Sequence, residues 1–170
     1  MSYESFKEAL ELVKQCKGYK RGKKIPKEYL DEAEEMLSIR FSKQNREYYE
    51  EYGYIAFGKY RLYGVLPNIE EPTDETIQRD AIVFTLQCRD DYIFPEGFVP
   101  ILDLSENKTD YYFELAERPI IYFDYSQKNA EGEPIIVKSM DDYEDFSYEK
   151  VAEDFGDFLL GIVKETLKIK

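Results

Sequence analysis

Two adjacent carboxylate pairs, Asp90-Asp91 and Asp141-Asp142, and two cysteines, Cys16 and Cys88, are the side chains of this sequence best suited by type to do chemistry. Paired carboxylates divide acid and base roles when their surroundings separate their proton affinities. Adjacent acids in a polar segment usually keep both charges solvated, and that is the reading for both pairs. A cysteine nucleophile needs a base to hold it as thiolate, yet the chain of 170 residues contains no histidine. The same absence removes the histidine triads and histidine general bases. Two isolated cysteines without histidine cannot complete an ordinary zinc site, and both fall on apolar positions of predicted helices, where buried free thiols are expected. The run Asp141-Asp142-Tyr143-Glu144-Asp145 lacks the alternating ligands and turn glycine of a calcium loop. Gly53 and Gly58 make no dinucleotide fingerprint, because no strand precedes Gly53 and Phe57 and Tyr60 flank Gly58. The expectation is therefore no catalytic residue, no metal and no cofactor, in a protein that works by binding.

Composition supports a folded chain. Hydrophobic residues at 43% and aromatics at 16% supply enough apolar surface to form a core. The length predicts a single domain over residues 1–170. Tyrosine (16) and phenylalanine (11) account for all the aromatics, since tryptophan is absent. A tyrosine surplus suits half-exposed sheet positions and, equally, interfaces. The formal charge is −13, but it is unevenly spread. Residues 1–30 carry eight bases and four acids, leaving −17 for the rest. An acidic body repels nucleic acid and anionic lipid and hastens encounter with basic partners. No apolar stretch approaches membrane-spanning length, and the start of the sequence reads as an amphipathic helix without signal-peptide character. A cytoplasmic protein is expected.

The elements that must position these residues follow from hydrophobic period. Tyr3, Phe6, Leu10, Val13 and Cys16 recur at helical spacing and predict a first helix ending near Gly18. Lys17, Lys20, Arg21, Lys23, Lys24 and Lys27 then predict a solvated basic loop. Pro26 suits the first turn of a second helix that buries Leu30, Ala33 and Leu37, with Met36 alongside. Ser42 is placed to cap a third helix, which buries Tyr48, Tyr49 and Tyr52 and stops at Gly53. Tyr54–Phe57 and Tyr60–Val65, split by Gly58-Lys59, predict a hairpin. Pro67 to Thr73 reads as a loop. Residues 73–90 fit either strand or helix, with helix favoured by Ile77, Ala81, Phe84 and Cys88 on one face and Thr73 or Asp74 as cap. After a turn at Pro95-Glu96-Gly97, the segments Phe98–Leu104, Asp110–Leu115, Ile120–Tyr125 and Ile135–Lys138 predict an antiparallel meander of undetermined strand order. Val151, Phe155, Phe158, Leu159, Ile162 and Val163 predict a closing helix. The fold class is α+β, an antiparallel β-sheet packed with N-terminal and C-terminal helices.

Several of these segments, in order along nearly the whole chain, resemble the SUKH superfamily of fungal cell-wall-synthesis regulators and bacterial immunity proteins. In Ala33–Gly53, Leu37 and Ile39 match the family's Leu-Gly-Ile stretch, Phe41 stands where leucine is usual, and Tyr48, Tyr49 and Gly53 occupy the following helix and its end. Leu62-Tyr63-Gly64 within Tyr60–Val65 resembles the leucine-tyrosine-glycine strand. Pro95–Asp103 resembles the Pro-x-Gly turn and strand, Pro119–Asp124 the Pro-Val-hydrophobic-x-aromatic-Asp strand, and Phe155–Leu159 the closing helix. Ser42, Asn45 and Asp154 depart from the residues common at those places.

The resemblance implies a SUKH-like fold and a non-enzymatic role. Bacterial members with this look commonly neutralise the toxin domain of a polymorphic toxin, often a nuclease. The first expectation is an immunity protein that binds a cognate, basic nuclease toxin domain, with no direct nucleic-acid or membrane contact. Its candidate partner-binding residues are Asp90, Asp91, Asp103, Asp110, Tyr111, Asp124 and Tyr125, with Asp141, Asp142 and Asp145 as a second choice. Two rivals stand beside it. One is a regulatory scaffold for cellular proteins, and the other is an enzyme or small-ligand protein working through carboxylates in a pocket between helices and sheet.

Overall fold

A computed structural model describes residues 2–66, 80–90, 97–103, 110–115, 119–124, 127–128, 130–133 and 148–170; for residues 2, 87–90 and 110 it describes the backbone only. Five helices and seven strands occur among these residues. Helix α1 is Ser2–Leu12, continued by a tighter turn at Val13–Gln15. Strand β1 (Lys20–Arg21), helix α2 (Lys27–Leu37) and helix α3 (Lys43–Tyr52) follow, then β2 (Ile55–Phe57) and β3 (Tyr60–Arg61). Helix α4 (Ala81–Asp90) precedes β4 (Val99–Asp103), β5 (Asp110–Glu114), β6 (Ile120–Asp124), β7 (Tyr148–Ala152) and helix α5 (Phe155–Leu167). The class is α+β with antiparallel sheets, as expected.

The local signals for α2 and α3 act as their chemistry predicts. Pro26 is the extended residue before α2, and Leu30, Ala33 and Leu37 are buried beneath it, whereas Met36 is 60% exposed and stands outside the stripe. The Ser42 hydroxyl accepts from the Asn45 N–H at 3.0 Å, which caps α3. Gly53 ends that helix at φ +70°, a conformation open to glycine and strained for other residues. Arg46 ties the two helices together, with its guanidinium donating to Asp31, Glu34 and Glu50 at 2.6, 2.5 and 3.1 Å. Burial opposes the charge of this guanidinium, but the hydrogen bonds to the three carboxylates outweigh burial and hold it above the ordinary arginine range.

The sheet architecture is more divided than the single sheet expected. Strands β1-β2-β3 form one antiparallel sheet, and β4-β5-β6-β7 form a second in simple meander order. They meet where Leu62 bridges Leu102 and the Tyr63 N–H donates to the Ile101 carbonyl at 2.9 Å. The meander is covered on both faces. Tyr111, Phe113 and Phe123 pack with Phe84 of α4 and with Phe98 on one side. Tyr112 packs against Tyr122 and against Phe158 of α5. Helices α1 and α5 are joined through Phe6 and Phe155, whose ring centroids lie 6.0 Å apart. Each such buried aromatic stabilises the fold by about 2 kcal/mol relative to exposure.

Three expectations are corrected. Lys20-Arg21 is not loop but an edge strand, paired with Ala56 and Ile55. Residues 81–90 are helix, as favoured, and Asp80 caps this stretch: its Oδ1 accepts from the N–H groups of Ile82 and Val83 at 2.9 and 3.0 Å. Val151 belongs to β7, where it is 40% exposed, and α5 begins only at Phe155, capped by Asp154. The sheet is two sheets, as above. The expected loop 67–73, the cap positions 73 and 74, Ile77, Pro95, Glu96 and the strand 135–138 lie outside the described residues. Cys16 is buried and free, and the side chain of Cys88 lies outside the description.

Tyr48 locks α3 onto the hairpin. Its hydroxyl donates to the Tyr63 carbonyl at 3.2 Å and accepts from the Ile55 N–H at 2.9 Å. Tyr49, beside it, is equally buried, and its hydroxyl finds no hydrogen-bond partner among the described residues. Burial raises the ionisation range of both tyrosines above that of a free phenol. A raised folded pKa means that the stabilisation is intact below the unfolded value and is lost as pH climbs above it. Stability should therefore hold to about pH 10 and then fall by about 1.4 kcal/mol per pH unit for each tyrosine. Urea midpoints measured from about pH 9 to about pH 11 check this, and a level series would reject it.

Candidate functional site

Two features on the second sheet could engage a partner: an acidic end and a cleft beside it. The acidic end is produced by strand register. Asp110 lies opposite Asp124 on β6, and Asp103 lies opposite Tyr111, the residue after Asp110. Three acids separated by up to 21 positions in sequence thus lie at one end of three neighbouring strands, Asp110 and Asp124 paired on one face and Asp103 paired with Tyr111 on the other. Asp103 and Asp124 are half-buried.

The cleft, of about 300 Å³, is lined by Ser38, Ile39, Arg40, Gly97, Val99, Glu114 and Leu115. One wall is the connector between α2 and α3. Ser38 turns it with a left-handed backbone at φ 54°, its N–H donating to Glu35 O at 3.2 Å, while the Ile39 N–H donates to Glu34 O at 3.1 Å. The other wall is the start of β4 and the end of β5. Glu114 is 2% exposed and accepts from the Ser42 hydroxyl at 3.1 Å. Ser42 therefore serves two groups, the first turn of α3 and the carboxylate of the cleft. Behind it, the Asn45 side-chain amide is fully buried without a hydrogen-bond partner among the described residues. A cleft of this size, with an exposed Arg40 at its mouth and a buried carboxylate in its wall, accommodates one side chain of a partner.

The structure distributes the ten expected partner-binding residues unevenly. Asp103, Asp110 and Asp124 lie at one end of the meander, with the side chain of Asp110 outside the description. Asp90 ends α4, its side chain outside the description, and Asp91, Tyr125, Asp141, Asp142 and Asp145 are likewise outside the described residues. Tyr111 is only 5% exposed and stacks between Phe84 and Phe113, with centroids 5.8 and 5.7 Å away, so its ring belongs to the core and is not available as a surface anchor. On the same sheet, Tyr148 is 52% exposed on β7, opposite Phe123. Sequence reading missed Tyr148 because the strand holding it is exposed over most of its length. It missed Glu114 because a glutamate at a strand end carries no mark of burial.

Among the described residues, no group of three or more cysteine, aspartate or glutamate side chains converges as a metal site. None of the described helices is long and apolar enough to cross a membrane. No curated protein matches the chain. A family model does: SUKH_6, described as SMI1-KNR4 cell-wall, matches residues 27–159. That span runs from the first turn of α2 into α5 and takes in both walls of the cleft and the acidic strand end. It is well over half of the chain, and the chain belongs to this SMI1-KNR4 family of the SUKH superfamily.

Proposed function

We propose that this protein is an immunity protein, an inhibitor that binds a cognate toxin domain, a basic nuclease, and occludes it by protein–protein contact. The observation that supports this best is the placing of Asp103, Asp110 and Asp124 at one end of the meander, on neighbouring strands. Clustered carboxylates draw a basic domain toward the surface and raise its association rate, because they mimic the charge of the phosphates it recognises. Tyr148 offers amphipathic contact area nearby on the same sheet, and the side-chain-sized cleft offers a fixed register point. The family supports a binding role without chemistry, and its members commonly serve in immunity.

The test is direct. The toxin domain encoded beside the gene is co-expressed with this chain, and cell survival is scored. Stopped-flow association is then followed for the wild type and for Asp103→Lys/Asp124→Lys. Survival with the parent chain is expected, together with an association rate lowered about tenfold and a flatter salt dependence in the variant. No protection from any neighbouring toxin domain would remove the immunity reading and favour a scaffold for cellular proteins. Protection with unchanged association kinetics would leave immunity standing and reject steering by this acidic end.

A further inference from the structure

The first sheet carries the opposite charge, and its placement is not that of a scattered solvated surface. Residues 13–27 and 53–66, which build β1, β2 and β3, hold nine bases and no acid. At the chain's own average, a stretch of that combined length would contain about six acids. The remainder of the molecule then carries −22. Bases from two distant segments converge through pairing: Lys20 lies opposite Ala56, and Ala56 lies opposite Arg61. Paired residues share a face. Ile55 and Phe57 point into the core, so Ala56 points away from it, and exposed Lys20 and Arg61 flank it on the outer face.

The same face is shaped as well as charged. Ala56 gives it a shallow floor. The half-exposed Tyr54 ring lies against Gly22, where a Cβ would come within 2.6 Å of a ring carbon. At the hairpin end the Gly58 N–H donates to the Lys17 carbonyl at 2.8 Å, which brings exposed Lys17 beside Lys59. Among the described residues, flanking acids include Glu165, 3.7 Å from Lys59, and Glu51, 3.6 Å from Lys24; both pairs are solvent-exposed and add little to stability.

We infer that the outer face of the β1-β2-β3 sheet is a second docking surface, one that receives an acidic polypeptide segment. Lys20 and Arg61 supply the charge, with Lys17 and Lys59 at the hairpin end of the face, and Tyr54 and Ala56 supply the floor. A long polyanion such as nucleic acid is disfavoured, because beyond this face it meets a strongly negative body within a Debye length or two. A short acidic segment meets only the local field. This face is separate from the acidic strand end, so its test is independent of the immunity reading.

Fluorescence anisotropy with a labelled octaglutamate peptide, and with an oligothymidylate of equal length, tests the inference at low and at physiological ionic strength. The peptide is expected to bind more tightly than the oligonucleotide. The exposed pair Lys20→Glu/Arg61→Glu should weaken peptide binding at least about tenfold, while Lys150→Glu on β7 should leave it unchanged. Tighter binding of oligothymidylate, equal loss in Lys150→Glu, an unaffected double variant, or no peptide binding at low salt would each overturn it.

Discussion

Alanine at position 64 is expected to prevent folding or to cost about 4 kcal/mol or more, because an added Cβ is more crowded there than at any other described glycine. Its Cβ would lie 2.2 Å from the Gly53 carbonyl oxygen, 2.5 Å from the Tyr54 Cβ and 2.8 Å from the Tyr54 Cα. None of these atoms can swing aside, because they belong to or adjoin the backbone. That backbone is held on both sides: the Val65 N–H donates to Gly53 O at 2.9 Å, and the Ala81 N–H donates to Gly64 O at 2.8 Å. The glycine of the Leu62-Tyr63-Gly64 run thus marks where two chain segments touch directly. Gly161→Ala is the control. Position 161 lies within α5, where an added Cβ would meet nothing within 4 Å, and alanine there should stabilise by about 0.8 kcal/mol through helix propensity. Thermal and urea unfolding of both variants check the pair. A Gly64→Ala protein within about 1 kcal/mol of the parent would show that this close approach does not exist.

Asp80→Ala should cost about 3 kcal/mol. The carboxylate is 3% exposed and holds three backbone N–H groups, those of Ile82 and Val83 through one oxygen and that of Leu66 through the other at 3.0 Å. Alanine leaves all three donors without it, at the start of α4 and in the strand continuation beside Gly64. Asparagine keeps an acceptor for the helix but turns an N–H₂ toward Leu66, so Asp80→Asn should lose roughly half as much. Urea denaturation at neutral pH distinguishes them. Equal losses in the two variants would show that the contact with Leu66 dominates and the cap does little.

How much of this was legible in the sequence depended on how local the signal was. Ser42, Gly53 and Pro26 act within a turn of their own positions, and the helices they delimit follow from residue chemistry alone. The Asp80 cap was obscured by better-looking candidates upstream, since Thr73 and Asp74 also precede an apolar stripe. Strand β7 was hidden for another reason. Its exposed residues lack alternation, and Val151 stands four residues before Phe155, where it completes a helical stripe. The pair Tyr111-Tyr112 shows the limit most clearly. Two adjacent tyrosines in a strand must point to opposite faces, but only the neighbouring strands decide which is enclosed. Here Tyr111 is the enclosed one and Tyr112 the half-buried one. The acidic strand end and the basic sheet face share that dependence, since each is assembled by pairing residues that are far apart in sequence.

The union of α1 with α5 has a consequence for the life of the nascent chain. Helix α1 leaves the ribosome well before α5 and, with the turn that continues it, carries Phe6, Ala9 and Val13, fully enclosed in the finished protein, while the Phe155 ring against Phe6 belongs to α5. At ordinary elongation rates the interval between the two is on the order of 10 s. Throughout that time the apolar stripe of α1 lacks its final cover and is open to chaperones, proteases or another nascent copy. Completion of α5 is thus the moment at which the amino-terminal helix is sealed, so slow synthesis of the closing segment would lengthen the exposure of the opening one.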